Sequence, residues 1–579
     1  STRLFLVGLL WAAAASAAVG LNIESESQQQ QKGLPPPAKK SSVSSSTRGT
    51  GTTAKMYMLS DVHYDAYFGT PNAVGSCTSS WSPSFGQMTC DGSLPLITSA
   101  FDDVFTQASQ DSNSIFLLLG DVLRHNIEVF ANNNTNDYYQ QYAVPLAIAA
   151  NSTNVIAGMI KDRFSKLSAV IPHPNLLGAL GNNDCVPHYF MEKMKNAAAV
   201  VNFTEVFLKN GLVSQEEQSE WQQCGYFSRL VNAYNGVQTG PALVLNINSV
   251  FYADQASINE NGAIADPCGQ FAWMTAQMQV ARSKGYKVII IGHVVPMAKK
   301  WLDNYIATYI TLLQANNDVI SSQFFSHTHM FTFVTLTSDD STAPVFDVPS
   351  ISPVDGNNPS YVAVTFDKDW RVNEIHHHYL SQDQSSWVVG QTFGSDYSLP
   401  SPLTTSSLYN FAQQLMGVDK KDPTWQQFLA LYQGGFVSSA MDYGNKDKLK
   451  VLCKMISTSE AAYEFAGAIK TPYVCVRERE RERERMKWES TEYNNEIPRS
   501  ALLFRGGKGF LVGIQNSECT LKNKNKTSDN FRQLKLKKQL RVVCVVRLVA
   551  DVQLWTASLS LFRLDFSPNL PINQPYMQR

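Results

Sequence analysis

The chain predicts a layered α/β fold over residues 55–382, followed by a small helical appendage over 383–475. Two observations carry this. Short, nearly continuous apolar runs recur at 56–59, 115–119, 176–180, 243–247 and 288–291. Each is bounded by Gly, Pro or polar residues, as for strands buried on both faces, with room between them for a helix or long loop. Helix-like patterns fill some of those intervals, at 99–108 and 271–282, and recur beyond residue 380 at 407–416 and 424–432.

In chain order, residues 1–17 place Arg3 ahead of the apolar stretch 4–15 and end in Ala15-Ser16-Ala17, a signal-peptide layout. Residues 18–54 are dominated by Gln, Pro, Ser and Lys and predict a disordered linker. Beyond the appendage, Arg-Glu repeats over 477–485 and a mixed basic stretch follows. Residues 476–579 therefore read as a low-complexity or disordered tail, or as an artefact of gene prediction. Beyond the signal-like stretch no segment of about 20 residues is expected to be free of charge; 542–562 comes nearest to a second membrane span, but Arg547 and Asp551 would sit near mid-bilayer.

With 48 basic and 49 acidic side chains the net charge is −1, which provides no overall field for a nucleic-acid polymer. At most peripheral membrane contact is expected. Nine cysteines behind a signal peptide predict disulfides, most simply Cys77 with Cys90, and place the protein in a secreted or lysosome-like compartment. No C-x-x-C occurs, so neither a zinc ribbon nor a thioredoxin-like site is indicated. Sequons at Asn133, Asn151, Asn202 and Asn525 fit a secreted glycoprotein.

The chemistry lies where the apolar runs end. Ser60-Asp61-Val62-His63, Gly120-Asp121, Gly181-Asn182-Asn183-Asp184, Gly292-His293 and Ser326-His327-Thr328-His329 each follow a strand candidate. Carboxyl ends of strands in open α/β sheets line the ligand crevice, so these side chains are expected to converge. Two carboxylates, one amide oxygen and four imidazoles make a donor set suited to two divalent ions. His173, His188 and the run His376-His377-His378 carry no such context and read as structural histidines.

The five motifs, in this order, resemble the calcineurin-like metallophosphoesterase superfamily. Within it the chain resembles the acid sphingomyelinase-like phosphodiesterases, through Asp266-Pro267-Cys268-Gly269-Gln270-Phe271 leading to Trp273, through 285–293 and 323–329, and through Ser352-Pro353-Val354-Asp355-Gly356-Asn357-Asn358-Pro359. The resemblance covers about residues 55–475 and implies a layered β-sandwich core flanked by helices. It also implies that Asp61, His63, Asp121 and His329 hold one ion, and Asp121, Asn182, His293 and His327 the other. Two zinc ions are expected; manganese or iron suit the same donors.

Hydrolysis by water activated between the ions needs no protein nucleophile, but the leaving alkoxide needs a proton. His125 matches a histidine of sphingomyelinase-like members and is the candidate general acid. Many members carry a proton-donating His directly after the ligand Asn, where this chain has Asn183, as endopolyphosphatase relatives do. Ser326 stands where a Gly usually precedes the H-x-H pair, with little expected effect unless that position needs a positive φ. Nothing before Lys55 resembles the cysteine-stapled saposin domain of acid sphingomyelinase. The expectation is a phosphodiesterase acting on sphingomyelin, to give ceramide and phosphocholine, with a nucleotide or polyphosphate substrate as the alternative. A non-catalytic metal-binding module is the reading of another class.

Overall fold

The computed structural model describes residues 54–456, apart from 74–76, 78–84, 112–113, 169–174, 191–205, 233–239, 260–263 and 436–444, together with five short strands between 503 and 563. The expected signal peptide, nearly all of the linker, His173, Asn202, Cys475 and most of the tail from 476 lie outside the described residues. The chain divides into two compact units, 1–482 and 483–579.

The first unit contains two six-stranded sheets. In one, β1 (Lys55–Leu59), β2 (Ser114–Leu118) and β3 (Asn175–Gly178) run parallel. Beyond β1 the sheet continues antiparallel through β10 (Ser360–Phe366), β11 (Val372–Leu380) and β12 (Trp387–Phe393). In the other, β5 (Ala242–Asn246), β6 (Lys287–Val294), β7 (Ile320–Ser326) and β9 (Val345–Asp347) are parallel. Antiparallel β4 (Phe227–Val231) and β8 (Thr332–Val334) close its two edges. Every residue of β2, β5 and β7 is buried; β2 and β5 are almost wholly apolar, whereas β7 also buries the polar Ser321, Ser322, Gln323 and Ser326. Side chains of both sheets join one contiguous core, and Asn246 Nδ2 of β5 donates to the Gly178 carbonyl of β3 at 2.8 Å. The expected layered α/β architecture is the one observed.

Helix α1 (Leu94–Ala108) starts where Ser93 Oγ accepts from Leu96 N at 3.3 Å with a proline in its first turn. It buries Ile97, Phe101, Val104 and Phe105, the spacing of one helical face. Helix α2 (Ala143–Ser168) is long and apolar enough to cross a membrane by length and composition, because residues 138–160 carry no charge. The strongest second span candidate is thus here rather than at 542–562. Its Leu146, Ala149, Ile156 and Ile160 are buried, and Arg163 Nε donates to Asp102 Oδ1 of α1 at 2.8 Å. Helices α3 (Gln270–Lys284) and α4 (Asp303–Ala315) follow β5 and β6.

The expected boundary at 382 falls between paired strands β11 and β12, so the sheet runs past it. Regular helix begins only at α5 (Thr405–Gly417), followed by α6 (Pro423–Tyr432) and α7 (Asn445–Ile456). The Thr335 amide after β8 donates to the Met455 carbonyl of α7 at 2.8 Å, which ties this helical segment to the second sheet. Cys77–Cys90 is a disulfide as expected, Cys224 pairs with Cys268, and Cys453 is also disulfide-bonded. Cys185 is buried and free, against the expectation that the cysteines are bridged. Asn133 and Asn151 are exposed. Within the second unit, strands Leu503–Arg505, Phe510–Gln515 and Glu518–Asn523 pair antiparallel, as do Val543–Cys544 and Phe562–Arg563.

Candidate active site

Parallel strands from both sheets deliver their carboxyl ends to one place. Asp61 and His63 follow β1, Asp121 follows β2, Asn182 follows β3, His293 lies at the end of β6, and His327 and His329 follow β7. The loops are laced by backbone bonds, Asp61 N to Gly120 O at 3.1 Å and His63 N to Asp121 O at 3.0 Å. Asp61, His63, Asp121, His327 and His329 all have positive φ, between 40° and 83°. Side-chain-bearing residues avoid this region at a cost on the order of 1–3 kcal/mol each, and such outliers gather at functional sites. Two glycines permit the close approach: a Cβ on Gly120 (φ +89°) would lie 2.6 Å from Gly181 N, and one on Gly181 would lie 2.0 Å from Asp121 Oδ1.

The seven expected ligands are brought together. His63, His293 and His329 place Nε2 at 3.6, 3.8 and 3.3 Å from Asp61 Oδ1. From Asp121 Oδ2, the Nε2 atoms of His63 and His293 are 3.6 and 3.2 Å away. Asn182 Oδ1 lies 3.1 Å from His293 Nε2, and the Nε2 atoms of His63 and His329 are 3.1 Å apart. Ligand atoms of Asp61, His63 and Asp121 form one group within 4.8 Å, and those of Asp121, His293 and His327 another. Asp61 Oδ1 is buried and accepts no hydrogen bond, although imidazole nitrogens surround it. A buried carboxylate oxygen facing nitrogen lone pairs is a costly arrangement unless a cation sits among them, so these residues fit a divalent metal site.

Surrounding bonds set the tautomers. His63 Nδ1 lies 2.9 Å from the Leu123 carbonyl and His293 Nδ1 2.7 Å from the Leu119 carbonyl, so each Nδ1–H is donated outward and each Nε2 faces inward. Burial and the charge of His125 hold His63 below its usual pKa; burial and the charges of Lys300 and His293 hold His327 well below. Both stay neutral, as metal ligation requires. Burial opposes a charged His293, but Asp121 and Asp61 overcome it and push this imidazolium up to about 9, a measure of how strongly the buried carboxylates call for positive charge.

Asp184 anchors the arrangement from behind. Its carboxylate accepts from the amides of Asp121 (2.9 Å), Val122 (2.8 Å), Leu123 (3.2 Å) and Gly181 (2.8 Å). Asn183 donates from its backbone N to Asp121 Oδ1 at 2.8 Å and from Nδ2 to Asp121 Oδ2 at 2.6 Å. It therefore orients Asp121 from the position at which many members carry a proton-donating His. Ser326 is not at positive φ, so the serine is accommodated; its Oγ lies 3.0 Å from both Leu119 O and His293 Nδ1.

His125 stacks on His63 with ring centroids 3.9 Å apart, and its N and Nδ1 each lie 2.8 Å from an oxygen of Asp91. Burial disfavours its charge, but the Asp91 hydrogen bond and charge, aided by Asp121 and Asp355, push it up to about 9. It lines a cavity of about 240 Å³ with Asp121, Asn182, Asn183, His327 and His329. The same cavity takes in His188, Tyr189, Gln255, Lys300 and Asp355, none of which was anticipated as a site residue. His188, read from sequence as structural, sits at this rim with Nδ1 2.6 Å from Glu128 Oε1. By contrast, His376, His377 and His378 lie on β11 within the sheet, as expected. Tyr189 OH and Lys300 Nζ converge on His327 Nε2, at 3.3 and 3.1 Å. Asp355 stands in a motif quoted from sequence, whereas Lys300 and Tyr189 belong to no motif.

No protein-family model matches the chain. It is 25% identical over 454 residues to the human protein named cyclic GMP-AMP phosphodiesterase SMPDL3A, across 72% of this chain and 91% of that one. It is 21% identical over 383 residues to sphingomyelin phosphodiesterase B of Dictyostelium discoideum, across 60% and 55%. Among solved structures, calcineurin-like phosphoesterase YfkN from Bacillus subtilis aligns over 63% of this chain and 96% of its own, with 12% identity and a TM-score of 0.30.

Proposed function

We propose that this chain, a metallophosphoesterase of the acid sphingomyelinase-like family and a phosphoric ester hydrolase, cleaves phosphodiesters of the nucleotide class with water activated by two divalent ions. The observation that carries this is the convergence of Asp61, His63, Asp121, Asn182, His293, His327 and His329 at strand ends from both sheets. Asp61, His63, Asp121 and His329 would hold one ion; Asp121, Asn182, His293 and His327 the other. The imidazole-rich set favours zinc. When bound, such ions act as Lewis acids that activate water as nucleophile and offset negative charge on the phosphoryl oxygens.

The chain's own residues supply orientation and a proton. Asn183 fixes the Asp121 carboxylate from two donors, and Asp184 holds the loops beneath. His125, kept as imidazolium by Asp91, is placed to protonate the leaving oxygen from the cavity side. The nucleotide class is favoured because the alignment to the cyclic GMP-AMP phosphodiesterase spans nearly that whole relative, and that to sphingomyelin phosphodiesterase B about half. A lipid substrate is the second reading, favoured by Val129, Tyr139 and Val144, which are exposed in the segment following Asn126 of the cavity. The Cys77–Cys90 and Cys224–Cys268 bridges support a secreted or lysosome-like location.

The test is turnover by the purified full chain, with zinc, of bis(p-nitrophenyl) phosphate, cyclic GMP-AMP and micellar sphingomyelin, beside Asp121→Asn. Hydrolysis of the first two, lost in the variant along with bound zinc, supports the proposal. Turnover of sphingomyelin alone moves the substrate to the lipid class. Unchanged rates in Asp121→Asn overturn the site.

A further inference from the structure

Strand β9 is buried throughout, yet it ends in a carboxylic acid, Asp347, set between Phe346 and Val348. Asp347 Oδ2 accepts the hydroxyl of Thr328, while Asp347 Oδ1 is buried without a hydrogen bond. An orphaned buried oxygen is costly, and an apolar residue at this point of the strand would avoid that cost, so the carboxyl calls for a reason. The bond it does make leads to the H-x-H turn. Thr328 lies between His327, expected to hold the second ion, and His329, expected to hold the first. Both histidines have positive φ, 83° and 63°, a region that residues with side chains enter only when their surroundings hold them there. At the flanks of the turn His327 N donates to Asp61 Oδ2 at 3.3 Å and Ser350 N to His329 O at 3.2 Å. The Thr328 hydroxyl, with Met330 O 3.4 Å away, is the bond at its centre. Asp347 is itself rigidly placed: it pairs with Phe325 of β7 on one side and Thr332 of β8 on the other, and Val348 N donates to Phe325 O at 2.7 Å.

We infer that Asp347 and Thr328 are a positioning pair that fastens the H-x-H turn to strand β9 and so sets an imidazole of each ion's site at once. The inference rests on the two-ion reading above and deepens it by two residues that touch neither ion. Because the pair acts through both His327 and His329, its loss weakens both ions together, whereas loss of an anchor to a single ligand would weaken one. What carries the role is the hydroxyl–carboxyl hydrogen bond and not the charge of Asp347, since an amide in its place keeps an acceptor oxygen for Thr328. A core strand is a stiff support, which is what a turn with two strained ligand residues requires.

Zinc competition against a chromophoric chelator tests this in the full chain, in Thr328→Val, Thr328→Ser, Asp347→Ala and Asp347→Asn, and in the double variant of Thr328→Val with Asp347→Ala. The melting midpoint of each metal-free protein is measured alongside. Thr328→Val and Asp347→Ala are expected to weaken both bound ions about tenfold, the low end for an outer-shell partner. The double variant should also lose about tenfold and not a hundredfold, because each single change removes the same bond. Thr328→Ser and Asp347→Asn, which keep the hydroxyl and the acceptor, should stay within about threefold of wild type. The visible absorption of the cobalt-loaded chain, which reports ligand geometry, should shift in Thr328→Val and return in Thr328→Ser. A lower metal-free midpoint with unchanged zinc affinity would reduce the pair to a packing contact and overturn the inference, as would weakening of one ion alone. Equal losses in Asp347→Asn and Asp347→Ala would give the role to charge and overturn it too. A wild-type chain that takes up two ions but hydrolyses no phosphodiester would fail the phosphodiesterase reading and leave the pair standing on these affinities.

Discussion

Replacing Asp184 with Ala should dismantle the floor of the metal cluster without touching an expected ligand. The Asp184 side chain is buried and its two oxygens accept four backbone amides, from Asp121, Val122, Leu123 and Gly181. Burial and the charge of Asp121 push its carboxyl up to about 6, so at pH 7.5 it is still ionised. Bonds to a charged acceptor are worth roughly 1.5–3 kcal/mol each, and a buried amide left without an acceptor costs about 1–3 kcal/mol. Taking the low end, because water can enter the space the carboxylate leaves, four orphaned amides cost about 4 kcal/mol. The loops they hold carry Asp121 and Asn182, so zinc affinity should fall by roughly 10- to 100-fold, the usual price of losing an outer-shell anchor. Urea unfolding at pH 7.5 reads the first effect and zinc competition against a chromophoric chelator the second. Asp184→Asn, which retains one acceptor oxygen, should fall between wild type and Asp184→Ala in both. A loss below about 1 kcal/mol with unchanged zinc affinity would refute the anchoring role.

Two further expectations concern stability. The Cys224–Cys268 bridge, with a sequence separation of 44, should contribute about 4 kcal/mol by restricting the unfolded chain, so Cys224→Ser with Cys268→Ser should lower the denaturation midpoint accordingly; an unchanged midpoint would mean the bridge does not constrain the unfolded state. His377 is fully buried with neither ring nitrogen hydrogen-bonded, and burial and the charge of His378 bring its pKa down to about 3. The unfolded chain therefore binds more protons than the folded one between about pH 6.5 and 3, so stability is full above pH 6.5 and is lost as pH falls through that window. His377→Leu should remove about 2 kcal/mol of the loss between pH 7 and 4.5, read by urea titration at the two values; a loss identical to wild type would show that His377 is not buried uncharged.

For the phosphodiesterase reading, the distinction that matters is between residues that hold the ions and residues that choose the substrate. The former sit at the ends of core strands, on a frame whose positive-φ backbone is held by neighbouring bonds. Other side chains lining the same cavity, Tyr189, His188 and Lys300, come from turns outside the core strands. A single frame can thus serve lipids, nucleotides or oligophosphates.

The amino-acid sequence alone determined the parallel core strands and the seven convergent side chains. Runs such as 115–119 and 288–291 are apolar without alternation because both faces are buried, and a polar ligand directly after such a run must lie at a strand's carboxyl end. These are local signals. The antiparallel half of the first sheet was not legible in this way: β10, β11 and β12 owe their place to pairing with each other and with β1, far away in sequence, and β12 lies where only helix was expected. Helix α2 was missed because its apolar residues spread around much of its surface instead of marking one stripe. Nor could sequence separate His188 at the cavity rim from His377 inside the sheet, since burial is set by which elements pack over a residue. Lys300 shows the same limit for charge. Composition sums charge along the chain, whereas the field in the cavity sums it through space, and only folding sets the Lys300 ammonium beside His327.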